Sequence, residues 1–140
     1  MILLDTNVLS ELMRPQPDQR VLDWVNGLVS ADVAISVMNE AEILHGLARL
    51  PDGARKQGLQ ACWHALISDL FIDRIWPFCS DAAHWYAELL VRRERLARPM
   101  ASADAVIAAI ALAHGAVLAT RNTKAVEGIG LELINPWQDS

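Results

Sequence analysis

A chain of 140 residues with 53% apolar and 21% charged residues is long enough to bury a core and too apolar to stay disordered. The net charge of −5 excludes a generally basic nucleic-acid-binding surface, although acids gathered around divalent cations can still present positive charge to a phosphate. The longest apolar stretches, 105–113 and 116–119, are too short to span a bilayer, and the opening Met-Ile-Leu-Leu-Asp has no basic leader before a long apolar run. Cys62 and Cys79 are far apart and in no metal-like spacing, so the expectation is a cytoplasmic protein with buried, reduced thiols.

Hydrophobic pattern and breakers divide the chain into alternating strands and helices. Ile2–Leu4 is a short apolar run that stops at Asp5-Thr6-Asn7 and reads as a buried first strand. A helix over 8–13 is broken by Arg14-Pro15-Gln16-Pro17, and Asp18 starts a second with Val21, Leu22, Trp24, Val25 and Leu28 on its inner side. Val33–Ser36 reads as the next strand, and Ser36 can cap a helix running to about Leu50. Pro51-Asp52-Gly53 is a turn, followed by a helical pattern over 54–70. A short third strand is expected at 74–77 and an amphipathic helix at 81–96. Ser102 is the expected cap of a helix over 103–114 whose every face is apolar or small, which marks it as buried. Gly115 closes it, and strands follow at 116–120 and 131–134.

Strand–helix alternation with continuous apolar strands implies one α/β domain over residues 1–140, its mainly parallel central sheet covered by helices on both faces. In such sheets ligands gather beyond the carboxyl ends of the strands, where strand order reverses. Asp5 stands directly after the first strand, as either a turn-and-cap residue or a ligand. In the helix after Ser36, Glu42 and Glu40 are rivals that periodicity cannot separate; Gly46, one turn from Glu42, costs roughly 1 kcal/mol against alanine and is expected to serve a close approach. Asp104 lies in the first turn of the apolar helix, where it complements the helix dipole and, beside so buried a segment, calls for a cationic partner. Thr120-Arg121-Asn122 again places polar groups at a strand's end. Mg²⁺ and Mn²⁺ take oxygen ligands, use few carboxylates and keep several waters, so acids converging at strand ends form a suitable cradle.

The opening Leu3-Leu4-Asp5-Thr6-Asn7, the Glu42 helix, Ala101-Ser102-Ala103-Asp104 and Ala119-Thr120-Arg121-Asn122 together resemble the PIN-domain nucleases in order and approximate spacing across the whole chain. Within that family the chain resembles the VapC and FitB toxins, and Arg14-Pro15-Gln16-Pro17 with the ending Ile134-Asn135-Pro136-Trp137 looks most like the FitB branch. The resemblance implies a three-layer α/β/α fold and Mg²⁺- or Mn²⁺-dependent cleavage of RNA. It also implies neutralisation by a cognate VapB/FitA-like antitoxin, and a homodimer that assembles with the antitoxin on operator DNA. It selects Glu42 over Glu40, makes Asp5 and Asp104 the more direct metal ligands, gives Glu42 a role through water or in orienting the nucleophile, and has Thr120 support the site with its hydroxyl. The family often carries a fourth acid, where this chain has Asn122 or Ala125; Asn122 offers only a neutral oxygen, and Glu127 is a candidate substitute.

Trp24, Trp63 and Trp85 are expected in the core or at a dimer interface, in preference to stacking on bases. The run Arg92, Arg93, Arg95 and Arg98 reads as solvated helix surface or as a phosphate track, with Arg121 the better phosphate candidate. His45, His64, His84 and His114 are scattered and suggest neither a zinc site nor a triad. Two other functions compete: an aspartyl phosphotransferase with Asp5 as nucleophile, disfavoured by Asn7 where a second Asp is commonly needed, and a non-enzymatic, degenerate nuclease surviving as a binding partner or regulator.

Overall fold

In a computed structural model of the chain, which describes residues 1–138, the strands are β1 (Ile2–Leu4), β2 (Val33–Ser36), β3 (Ile75–Trp76), β4 (Val117–Ala119) and β5 (Leu133–Ile134). All four pairings are parallel and the sheet order is β3-β2-β1-β4-β5, which puts β1 in the centre. The helices are α1 (Thr6–Leu12), α2 (Gln19–Asn26), α3 (Val37–Ala48), α4 (Ala54–Leu66), α5 (Ser80–Arg95) and α6 (Ser102–Ala113). This is the expected α/β/α arrangement. Among the described residues no helix is long and apolar enough to cross a membrane.

The strands are apolar throughout because both of their faces are covered. Leu3, Ala34 and Leu118 pack with α5 and α6, whereas their neighbours Leu4, Ile35 and Ala119 pack with α1, α3 and Trp63 of α4. Helix α6 is buried continuously over 105–111, four of those seven residues being alanine. Those small side chains let α5 and β4 approach closely.

The chain runs out from β1 through β2 to β3 and then crosses back to β4, so strand order reverses between β1 and β4. Leu4 pairs with Ala119 and Leu3 with Ala34, which sets Asp5 level with Thr120 on one side and with Ser36 on the other. Three neighbouring strands thus end on a polar row. Both α3 and α6 start at this edge: α3 because it follows β2, α6 because it descends to feed β4.

Several boundaries differ from those expected. Helix α1 begins at Thr6, not at residue 8, because the Asp5 side chain accepts a hydrogen bond from the Thr6 backbone N–H and caps it. Helix α6 begins at Ser102 itself; the extended backbone of Ala101 occupies the cap position without a side-chain bond, so Ser102 is no cap. The pattern over 54–70 divides into α4 and a π-helical turn, Ile67–Phe71. Cys79 is exposed, Cys62 is half-buried, and both thiols are free. Trp63 is buried as expected, but Trp85 is 38% exposed and belongs to no core. A β-carbon at Gly46 would meet nothing within 4 Å, so no close approach within the chain explains that glycine.

If the alanines of α6 are there to admit α5 and the sheet, Ala108→Leu should destabilise the fold by about 1–3 kcal/mol through overpacking. Urea unfolding followed by circular dichroism measures this, with the exposed Leu44→Ala as a control expected to change little.

Candidate functional site

The polar row at the carboxyl edge opens into a cavity of about 270 Å³ lined by Asp5, Asn7, Glu42, Asp104 and Asn122, among others. Acids from β1, α3 and α6, far apart in sequence, meet here. Glu40 faces the other way, into a groove shared with Trp63 and His64. Of the two rivals, Glu42 is the one that lines this cavity.

Asp5 is held through both oxygens. Its Oδ1 accepts the Thr6 N–H at 2.7 Å and its Oδ2 accepts the Thr120 hydroxyl at 2.8 Å. The two readings of Asp5 are therefore both true: it caps α1 and it faces the cavity. The Thr120 hydroxyl, fully buried, accepts N–H bonds from the Asn7 side chain and the Asn122 backbone, each at 3.1 Å. With its acceptor positions filled, its single proton is directed to Asp5. Asn7 in turn is oriented by the Arg121 backbone N–H, which donates to its Oδ1 at 3.3 Å.

Glu42 is held by a parallel device. Ser36 caps α3, and Asn39 completes the reciprocal cap: its Oδ1 accepts both the Ser36 backbone N–H at 2.9 Å and the Ser36 hydroxyl at 2.7 Å. This turns the Asn39 Nδ2 toward Thr6, whose hydroxyl accepts from it at 3.0 Å and donates to Glu42 Oε1 at 2.7 Å. Glu42 Oε2 and the whole Asp104 carboxylate make no hydrogen bond within the described residues and remain available to the cavity.

Burial raises the pKa of Asp5 above the ordinary carboxylate value, and the negative charges of Asp104 and Glu42 raise it further against the lowering bonds from Thr120 and Thr6. Asp104 is raised by burial first and by Glu42 second, partly offset by Arg93. Arg93 is a buried guanidinium, 4% exposed, that donates to the backbone carbonyls of Arg98 (2.6 Å), Ala125 (2.9 Å) and Glu127 (3.1 Å). It thereby clamps the segment that carries Ala125 and Val126 into the cavity wall.

The donor set is oxygen only, crowded with negative charge and short of a cation. Among the described residues no three His, Cys, Asp or Glu side chains come close enough to grip one ion together. An all-oxygen donor set fits a hard cation such as Mg²⁺ better than zinc, which favours nitrogen and sulfur ligands.

One secondary expectation fails and another holds in part. Glu127 does not supply a fourth acid: its Oε1 pairs with Arg98 at 2.8 Å and it does not line the cavity. Of the arginine run, Arg92 and Arg95 lie exposed on the helix surface, as one of the two readings has it, but the run is no continuous track, because Arg93 is buried and Arg98 is engaged with Glu127 and the Lys124 carbonyl. Ser36 is the cap that the sequence suggests, but the contributions of Thr6 and Asn39 are not evident from it, although Ser36-x-x-Asn39 is a variant of the capping-box pattern and Thr6 stands inside the opening motif.

Because the raised acids make the folded chain bind protons that the unfolded chain has already released, their contribution to stability falls as pH rises through the folded-state values. Asp104→Asn should therefore raise the melting temperature of the metal-free protein at neutral pH, and the difference from wild type should shrink as pH falls toward 4. Thermal melts in chelator at several pH values measure it.

The chain matches the PIN domain family over residues 2–127. It is 38% identical over 138 residues to the VapC ribonuclease Y4jK of Sinorhizobium fredii, and 40% identical over 139 residues to the toxin FitB of Neisseria gonorrhoeae, in both cases spanning at least 99% of each protein. Its fold superposes on a chain in the structure of FitAB bound to a DNA fragment with a TM-score of 0.92 at 39% identity, covering 99% of this chain and 96% of that one. With the parallel sheet and the acidic cavity at its carboxyl edge, these likenesses establish that the chain belongs to the PIN-domain family, as a homologue of the VapC and FitB toxins.

Proposed function

We propose that the chain, acting as a single PIN unit, is a Mg²⁺- or Mn²⁺-dependent endoribonuclease and the toxin of a type II toxin–antitoxin pair. The observation that carries this reading is the meeting of Asp5, Glu42 and Asp104 around one cavity at the strand-order reversal. When bound, a divalent cation would supply Lewis-acid polarisation of the phosphodiester and acidity to attacking water. Asp5 and Asp104 would hold it. Asp5 keeps its orientation through the Thr6 N–H and the Thr120 hydroxyl, and Asp104 presents a carboxylate free of other hydrogen bonds. Glu42, tethered at Oε1, offers Oε2 to orient the attacking water and take its proton. Hydrolysis breaks one P–O bond, and the leaving ribose oxygen takes up a proton.

The partners follow from the relatives. Thr6, Ser10 and Glu42 also line a neighbouring groove of about 780 Å³ with largely apolar walls, including Met13, Ile43, Leu47 and Leu59. A VapB/FitA-like antitoxin seated there would stand beside the carboxylates and block RNA. Homodimerisation, joint assembly with antitoxin on operator DNA, and a cytoplasmic location complete the proposed role.

Cleavage of a structured RNA by the purified chain with Mn²⁺ should disappear with EDTA and fall by about a hundredfold or more in Asp5→Asn. A second reading, a catalytically weakened binding module, draws on Asn122 and Ala125 in the cavity wall. It predicts no cleavage by the wild type alongside intact antitoxin binding. Under the nuclease reading, Asn122→Asp should instead increase the rate several-fold at limiting Mn²⁺, because a charged oxygen replaces a neutral one at the cavity. Single-turnover rates across a Mn²⁺ titration measure this.

A further inference from the structure

The protein is acidic overall, with a net charge of −5, and its reactive cavity is walled by carboxylates. A polyanionic strand approaching that edge needs a local cation on the protein itself. Arg121 is the exposed residue between Thr120, which bonds Asp5, and Asn122, which lines the cavity. Its backbone is pinned on both sides: the N–H donates to Asn7 Oδ1 at 3.3 Å and the carbonyl accepts from Asn135 Nδ2 at 3.5 Å. Its guanidinium lies over the indole of Trp137, 5.0 Å from the ring centroid, and that indole is itself only 5% exposed.

Within the described residues the Arg121 guanidinium donates no hydrogen bond and pairs with no carboxylate. Asp18 feels its charge, but that carboxylate is already paired with Arg20 at 2.9 Å. An exposed arginine ordinarily loses rotamer freedom when it binds; one already laid on a buried ring has less to lose, and its N–H edges stay free for a planar, bidentate partner. A phosphodiester matches those edges in geometry and charge.

We propose that the Arg121–Trp137 stack is a preformed clamp for a backbone phosphate of single-stranded RNA, flanking the bond presented to the acidic cavity. Arg121 supplies the contact and Trp137 is a positioning residue. The proposal rests on the nuclease reading above and names how that site holds its substrate.

The test is binding of a fluorescent single-stranded RNA oligonucleotide of mixed sequence, measured by anisotropy in EDTA across a salt series. Arg121→Gln should weaken binding about tenfold and reduce the slope of log K against log salt by about 0.7, the value for one phosphate on a single strand. Arg121→Lys should keep the slope but recover only part of the affinity. Trp137→Phe should leave the slope unchanged and weaken binding less than Arg121→Gln. In cleavage assays Arg121→Gln should raise KM with little change in kcat. If wild type binds RNA while Arg121→Gln matches it in affinity and slope, the clamp is overturned and the nuclease reading stands. If the wild type binds no RNA at any salt, the clamp is overturned, and cleavage with Mn²⁺ decides the nuclease reading separately. A poly-glutamate peptide whose binding alone depends on Arg121 would reassign the stack to an acidic protein partner and overturn the proposal.

Discussion

Two threonine protons decide the shape of this site. Each hydroxyl accepts N–H bonds that cannot be turned around, from the Asn7 side chain and the Asn122 backbone at Thr120 and from Asn39 at Thr6, so each proton points at a carboxylate. The amide orientations behind them are fixed in turn by the backbone N–H groups of Arg121 and Ser36. Asp5 and Glu42 are thus held in fixed orientations at the cavity, and the proposed cation would require little reorganisation of them. The alignment depends on β1, β2 and β4 ending level with one another, which the parallel register provides.

The same arrangement works against the stability of the empty fold. Burial and the neighbouring carboxylates disfavour ionised Asp5 and Asp104, and among the described residues no cation forms a salt bridge with either. Arg93 comes nearest to compensating, and it is spent on backbone carbonyls that fasten the cavity wall to α5. Such unbalanced charge, held in place by neutral donors, is what the proposed cation would offset. Asn122, in the cavity wall, contributes a neutral oxygen where an acid would add a further negative charge.

Much of this was legible in the sequence because the strands are buried on both faces and therefore read as plain apolar runs, and because acids are poor strand formers whose position at strand ends stands out. Asp5 and Asp104 could be picked from local pattern. Glu42 could not, since Glu40 shares its helix and a mixed stripe hides which face meets the edge; resemblance chose Glu42, which is the one of the two that lines the cavity. What remained hidden was long-range: Asn39 and Thr6 are 33 residues apart, Asn7 and Thr120 are 113 apart, and only register brings them together. Arg93 was misread because an arginine-rich helix surface gives no hint that one guanidinium points inward toward a loop.

The most direct measurement is a crystal structure of the protein soaked with Mn²⁺, using anomalous scattering to locate the ion. Density in the cavity at ligand distance, about 2.0–2.3 Å, from oxygens of Asp5 and Asp104, with water between the ion and Glu42, is the predicted result. Anomalous density only outside that cavity, or none at a Mn²⁺ concentration that supports RNA cleavage, would contradict it.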